Sequence, residues 1–475
     1  MHDPAAIFLL RLIELTAAPL YLVGGSVRDL LRGAGGMRDI DLAMPSGSED
    51  VAQRFAEAIG GSFFFLDEER KITRVVKQAD AETLQFDFTN FEGPDLRADL
   101  ARRDFTMNAM ALDLRKFLAT RSLDGIIDPF GGREDVRRRL IRTADPAVLD
   151  HDPLRLLRAV RFAAALGFTI EGTTAGEIRA RSALVTKPSP ERIRDELFLT
   201  LSEEGAGGYL SLLGSLGLLD PLLPELQPLR DFAPGRHHVY DILTHSIRTA
   251  DYVDAAAEQL QCLVPQHADA LRAHLAEPLE HLIPRKAALR FACLLHDIAK
   301  AETFSRDEGG DVHFYGHDQI GAERAAEICR RFRLSRATET AIDRLVRHHM
   351  RPLGLSAPNG PSKRALYRYC RDLKEALPES IVLSLADAKA TSEVMSAEGF
   401  TDTQRTAAVI LDYYYSRFLK VEAKPFITGD DLIARGMQPG PRFREILEDF
   451  RTQQAEGTLR DRDEALRSLQ ERSVT

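Results

Sequence analysis

Strand-like stretches in this 475-residue chain fall almost wholly before Asp145. That asymmetry confines it to an α+β head followed by an all-α body. Between Pro19 and Arg142, short apolar runs (Leu20–Val23, Ile40–Ala43, Ser62–Leu66, Thr73–Val76 and Thr83–Thr89) alternate with helical segments. Beyond Asp145 the period changes from two to 3.6. His151–Phe168, Pro190–Ser202, Gly208–Leu219, Ala287–Ala299, Gln319–Phe332, Arg336–His349 and Thr401–Leu419 each repeat apolar residues at helical spacing, with Pro and Gly between them. Joints are expected at Asp220–Arg236 and around Ala357-Pro358-Asn359-Gly360-Pro361. The length exceeds what one core usually serves, so several units are expected.

The densest chemistry in the head lies at Gly24-Gly25-Ser26-Val27-Arg28-Asp29, followed by Arg38-Asp39-Ile40-Asp41-Leu42. In a strand, residues i and i+2 leave the same face, so Asp39 and Asp41 can hold a hard divalent cation together. Gly24 and Gly25 follow a short strand and let the backbone approach a ligand closely, and the helix that begins there turns its first amides towards a triphosphate. Arg28 would face the phosphates. No Gly-Lys-Ser/Thr is present, which excludes a Walker-type phosphate loop. Asp87, on a neighbouring strand, is a candidate third carboxylate or base.

Two further polar blocks follow. Arg102-Arg103-Asp104-Phe105-Thr106-Met107-Asn108 can supply phosphate contacts and hydrogen bonds to a ribose, or can simply start a helix capped by Asp104. In Asp152-Pro153-Leu154-Arg155-Leu156-Leu157-Arg158-Ala159-Val160-Arg161, the charged residues recur every three positions and are expected to be neighbours along one helix, with Pro153 in its first turn. An Asp beside an Arg can read the edge of cytosine or adenine, the carboxylate accepting from the exocyclic amine and the guanidinium donating to the adjacent acceptor. Intrahelical Asp–Arg pairing is the simpler meaning of the same spacing. The formal net charge of -9 excludes a protein that coats nucleic acid by bulk charge. Any polyanion must be held locally, and Arg97, Arg102 and Arg103, the group Arg133, Arg137, Arg138, Arg139 and Arg142, and Arg155, Arg158 and Arg161 are the candidate clusters. Cys262, Cys293, Cys329 and Cys370 are scattered without a Cys-x-x-Cys, which suits reduced thiols in a cytoplasmic protein. Arg11 and Glu14 interrupt the first apolar run, so neither a signal peptide nor a membrane span is expected there.

In order, Gly24-Gly-Ser-Val-Arg-Asp, Asp39-x-Asp41, Arg102-Arg-Asp-Phe-Thr-Met-Asn108, Asp128-Pro-Phe-Gly-Gly-Arg-Glu-Asp135 and Asp152-x-x-Arg155-x-x-Arg158-Ala-x-Arg161 resemble the successive motifs of class II CCA-adding tRNA nucleotidyltransferases and bacterial poly(A) polymerases. The resemblance implies a polymerase-β-like nucleotidyltransferase head at 1–145, a helical neck for nucleotide selection and RNA binding at 146–228, an HD-like domain at 229–400 and an RNA-binding helical tail at 401–475. It implies Asp39 and Asp41 as catalytic ligands of Mg2+. Gly24, Gly25 and Arg28 would hold the triphosphate, and Arg102, Arg103, Asp104 and Asn108 the ribose and phosphate. Asp152 and Arg155 would form the base template, with Arg158 and Arg161 as its supports. The expected partners are the tRNA 3′ end and CTP, with ATP as a further candidate, and neither DNA nor a membrane. Two departures stand out: His151 occupies a position where the family usually carries Glu, and only Asn90–Ala101 joins the strand ending near Thr89 to the Arg-Arg-Asp block. That short segment resembles the CC-adding subfamily, in which a mobile loop is reduced. The basic, Phe-containing stretch of poly(A) polymerases is not evident in Pro45–Ser62, so a poly(A) polymerase is the lesser alternative.

Downstream, Thr244-His245-Ser246, His296-Asp297 and Asp387 have the order of HD metal-dependent phosphohydrolases. The resemblance makes His245, His296, Asp297 and Asp387 candidate ligands of a second divalent metal, with His313, His317, His348 and His349 as possible additions. It also offers a reading of another class, an HD phosphohydrolase whose head only binds RNA. Ile427-Thr-Gly-Asp-Asp-Leu432 and Gly436–Pro441 resemble the C-terminal region of HD-containing members.

Overall fold

The computed structural model describes residues 4–34, 36–79, 82–232, 240–355, 360–391 and 397–472. Parts of both expected joints, 233–236 and 357–359, lie outside them. Two units make up the chain, Met1–Pro188 with Leu216–Leu218, and Ser189–Ser215 with Leu219–Thr475.

The first unit is built on a seven-stranded sheet in the order β3-β4-β5-β2-β1-β6-β7. Its strands are β1 (Tyr21–Val23), β2 (Asp39–Met44), β3 (Ser62–Asp67), β4 (Ile72–Ala79), β5 (Glu82–Asn90), β6 (Ala111–Asp113) and β7 (Ile126–Ile127). The first five match the apolar runs of the sequence; β6 and β7 are too short to show a period. β2 pairs in parallel with β5, placing Ile40 beside Phe86 and Asp41 beside Asp87. Helix α1 (Pro4–Leu15) and helix α3 (Ser48–Ile59) cover one face, where Phe8 and Phe55 meet Phe86 edge-on at ring separations of 6.4 and 5.1 Å. Phe55, Phe86 and Phe88 are fully buried, and truncating any one of them to Ala would cost about 3–5 kcal/mol. Helices α2 (Gly25–Arg32) and α4 (Leu96–Ala101) also border the site.

One expectation is corrected here. His151–Phe168 is not one helix: it consists of Ala147–His151 and Arg155–Leu166. Asp152 lies in the break, in an extended conformation (φ -136°). Pro153 is the cause, since it disfavours helical backbone at the preceding residue and donates no amide hydrogen. Asp152 therefore stands ahead of the arginine row, and Pro153 precedes the first turn.

The second unit is helical apart from short two-stranded pieces. Its helices include Pro190–Ser202, Ile242–Asp251, Arg285–Leu295, His317–Arg331, Arg336–His348 and Leu377–Thr391. Arg290 is completely buried among them; it pairs with Asp254 and donates to the Leu201 carbonyl at 2.6 Å. Near the C-terminus, Ile427, Leu432, Phe450, Leu459, Ala465 and Leu469 form a separate apolar cluster.

Candidate active site

The turn between β1 and α2 requires glycine. Gly24 has φ +63°, and a Cβ there would lie 3.0 Å from both Asp41 Oδ2 and an Arg103 guanidinium nitrogen. The Gly25 amide donates to Asp41 Oδ2 at 3.2 Å, so the start of α2 is already aimed at an anionic oxygen. Ser26 ties the helix to β2, its hydroxyl donating to the Asp39 carbonyl at 3.2 Å and accepting from the Asp41 amide at 2.8 Å. Sequence reasoning missed this residue, which lies inside the glycine motif.

Asp39 and Asp41 leave one face of β2, as the two-residue period requires. Asp39 is exposed and Asp41 partly buried. Burial pushes the Asp41 carboxyl up to about 6, with Asp87 adding repulsion and Arg103 offsetting part of it. A divalent cation between the two carboxylates would relieve that excess negative charge, so the donor set fits a hard metal ion. Asp87 itself is held by Arg74 through both oxygens, at 2.6 and 2.7 Å.

The Arg-Arg-Asp block follows α4. Arg102 pairs with Glu92 at 3.0 Å and Arg103 with Asp99 at 3.2 Å. Asp104 is buried, accepting at Oδ1 from Asn108 (2.9 Å) and at Oδ2 from Arg158 (2.8 Å). Burial acts to raise its carboxyl, but Arg158 and Asn108 prevail and hold it below its usual value. Asn108 in turn accepts from Arg28 at 2.8 Å. A continuous chain Arg28–Asn108–Asp104–Arg158 thus joins the glycine turn to the helix Arg155–Leu166. The guanidiniums of Arg28, Arg158 and Arg161 also lie 5.5, 5.2 and 4.2 Å from the centre of the Phe162 ring.

Asp152 and Arg155 do come together. With His151, Arg70, Glu92, Gly93 and Arg102 they line a cleft of about 560 Å³, within the range of a small-ligand site. Asp152 accepts from the Leu154 amide at 3.2 Å, and Arg155 donates to the Val148 carbonyl at 3.2 Å. The segment beside the cleft is ordered by local bonds: Asp95 caps α4 by accepting from the Ala98 amide at 2.8 Å, and Asp99 accepts from the Glu92 amide at 3.0 Å.

In the second unit the four HD candidates meet. His245 Nε2 is 3.0 Å from Asp387 and 3.9 Å from Asp297, and His296 Nε2 is 3.2 Å from Asp297. Burial alone would raise Asp387, but its hydrogen bond with His245 leaves it at about 2; Asp297 is likewise held well below its usual range by His296 and Lys300 despite complete burial. Of the four additional histidines, His317 and His349 face Asp297, each at 3.6 Å. His313 does not, being paired with Asp307 at 3.0 Å on an exposed hairpin. Among the described residues two clusters have metal-ligand spacing, His245, His296, Asp297 and Asp297, His317, His349, and His348 belongs to neither. Anionic and imidazole donors in a buried setting fit a divalent transition metal.

Three family models match successive stretches: "Poly A polymerase head domain" over residues 20–142, "Probable RNA and SrmB- binding site of polymerase A" over 167–229, and "HD domain" over 242–392. The chain is 34% identical to the A-adding tRNA nucleotidyltransferase of Deinococcus radiodurans, over 90% of this chain and 89% of that one. It is 30% identical to the CC-adding tRNA nucleotidyltransferase of Geobacter sulfurreducens, over 96% and 92%. Its fold is that of a CCA-adding enzyme solved in complex with CTP, with a TM-score of 0.64, 21% identity, and coverage of 100% of this chain and 97% of that one. Among the described residues no helix is long and apolar enough to cross a membrane. Similarity at these levels over nearly the whole length shows that the chain belongs to the tRNA nucleotidyltransferase and poly(A) polymerase family.

Proposed function

We propose that this chain is a Mg2+-dependent tRNA nucleotidyltransferase that extends the tRNA 3′ end with cytidylate and stops after CC. The observation that carries the reaction class is the pairing of Asp39 and Asp41 on one strand face, with Asp41 against the amide of Gly25. Asp39 and Asp41 would hold Mg2+, which supplies charge neutralisation at the reacting phosphate. The RNA 3′-hydroxyl attacks the α-phosphate of the nucleotide, a new P–O bond forms, and the bond to the β-phosphate breaks to release pyrophosphate. Gly24 and Gly25 let the triphosphate approach the backbone, while Arg28 and Arg103 place positive charge beside it. Asp152 and Arg155 read the base edge from the cleft. The head, neck, HD-like and tail regions at 1–145, 146–228, 229–400 and 401–475 divide these tasks, with the helical parts gripping the tRNA. In the HD-like region, His245, His296, Asp297 and Asp387 would hold a second divalent metal and support phosphoester hydrolysis.

The limit at CC rests on α4. Adding A after C requires the same cleft to change from pyrimidine to purine, and a movable neighbouring segment is the simplest lever. Residues 96–101 instead form a helix capped by Asp95, and Asp99 of that helix accepts from the Glu92 amide. The 34% identity to an A-adding enzyme favours a second reading, in which this chain supplies only the terminal A. Three transcripts separate the two: tRNA lacking CCA, ending in C, or ending in CC, each with CTP, ATP or both. Extension of the first two with CTP, ending at CC, supports the proposal. Extension of only the CC-ended transcript with ATP supports the second reading; complete CCA or long adenosine tails refute both.

A further inference from the structure

One recess of the first unit lies outside the chemistry already assigned. It measures about 760 Å³, and α2, the helix Gly132–Arg138 and the end of the helix Arg155–Leu166 wall it. Its lining is of two kinds. Leu31, Val136, Leu166 and Phe168 are apolar, whereas Arg32, Arg133, Arg137 and Arg139 bring guanidiniums. A recess of that volume, part apolar and part charged, is built like a small-ligand site.

The charges in it do not cancel. Asp128 spends both oxygens on the turn, accepting from the amides of Gly132 and Arg133 at 2.7 and 2.9 Å. Arg137 engages Glu134 at 2.7 Å. Arg32 reaches Asp29 at 3.3 Å, and its guanidinium lies 5.6 Å from the centre of the Phe168 ring. That leaves Arg133 and Arg139, both exposed, whose guanidiniums make no ion pair or hydrogen bond among the described residues. Two unengaged forks beside an apolar patch suit the phosphates and the ring of one ligand. Arg139 also ends its helix at φ +55°, where glycine is the ordinary residue, so its long cation is kept at that turn against a conformational cost.

We propose that this recess is a second, non-catalytic site for a nucleoside polyphosphate, with Arg133 and Arg139 on the phosphates and the base against Leu31, Leu166 and Phe168. Its lining holds no free carboxylate or amide to read a base edge, so it takes any base. The recess also stands at the far ends of two helices that carry the reaction site. α2 runs to it from the glycine turn over eight residues, about 12 Å. The helix beginning at Arg155 runs to it over twelve residues, about 18 Å. A ligand there is felt at the triphosphate turn and the base-reading pair without competing for either; this consequence rests on the reaction proposed above, and the binding does not.

The test uses the full chain and GTP, a nucleotide that Asp152 and Arg155 should reject, with excess chelator so that no metal bridges it to Asp39 and Asp41. Equilibrium dialysis with radiolabelled GTP should show saturable binding, weakened about tenfold or more when Arg133→Gln and Arg139→Gln are combined. Tripolyphosphate should compete well and guanosine poorly. Thermal melts check that the double variant is folded. Hydrogen–deuterium exchange of the unaltered chain needs no variant: GTP should slow exchange at 31–34, 134–140 and 166–169. Protection only elsewhere, as at 24–28 and 152–155, would overturn the second site without touching the reaction, which the extension assay judges separately. Absence of saturable binding, unchanged GTP affinity in the double variant, or loss of tRNA affinity in place of GTP affinity would also overturn it.

Discussion

Asp41 and Asp87 lie side by side across the parallel pairing of β2 and β5, but Arg74 grips Asp87 by both oxygens and leaves Asp41 to meet the ligand side alone. Part of Asp87's repulsion is thereby neutralised before it reaches Asp41, whose carboxyl still stands at about 6. Since only the carboxylate binds Mg2+, apparent Mg2+ affinity should fall about tenfold per pH unit below that value. Arg74→Met should move this limb upward by about 1 unit, because an unpaired Asp87 repels Asp41 more strongly. Initial rates against pH at subsaturating Mg2+ measure both; a profile indifferent to Arg74 would refute the coupling.

The same shift has a sign for stability. A carboxyl raised from 3.8 to about 6 binds its proton more tightly in the folded chain, so stability from this group falls as pH rises between those values and the penalty then stays constant. In metal-free protein at pH 7, Asp41→Asn should gain up to about 3 kcal/mol, and the gain should vanish by about pH 4. Thermal melts of both proteins across that range decide it.

Replacing Asp39 or Asp41 by Ala should abolish nucleotide addition while leaving tRNA binding largely intact, since the grip on RNA is assigned to the helical parts. Filter binding beside extension assays separates the two. Rates equal to those of the unaltered protein at saturating Mg2+ would remove these residues from the chemistry.

Asp152 and Arg155 should govern the choice of base. A good bidentate base contact is worth about 1–3 kcal/mol, so replacing both should relax discrimination against UTP and GTP tenfold or more, with a smaller effect on triphosphate affinity. Selectivity measured as ratios of kcat/KM tests this. An equal loss of rate for all four nucleotides would mean that the pair only supports the fold.

His296→Ala or Asp297→Ala should leave tRNA extension near normal and remove any metal-dependent phosphatase or cyclic phosphodiesterase activity, because the two sets of side chains lie in different units. Assaying both reactions on one preparation makes the comparison direct.

Much of the head was legible because its strands alternate cleanly and its glycines sit where the backbone needs positive φ. The break at Asp152 was not read: Pro153 signals it, but helical spacing on either side masked it. Ser26, Arg74 and the Arg28–Asn108 bond were not legible, since their partners lie 13 to 80 residues away. Nor did the sequence distinguish His349 from His348, or His317 from His313. Which neighbour faces Asp297 depends on the phase of each helix end and on a short hairpin whose residues show no period.

The chain of side chains from Arg28 through Asn108 and Asp104 to Arg158 has one more consequence. It fixes the interval between the turn that would take the triphosphate and the helix beside the base-reading pair. In the proposed reaction the protein therefore gauges a nucleotide by length as well as by its hydrogen-bonding edge, like a calliper with one jaw on phosphate and one on the base. In that reaction a ring of the wrong size would be rejected by the span itself, and any retuning towards a different base would have to reset that span before new edge contacts could matter.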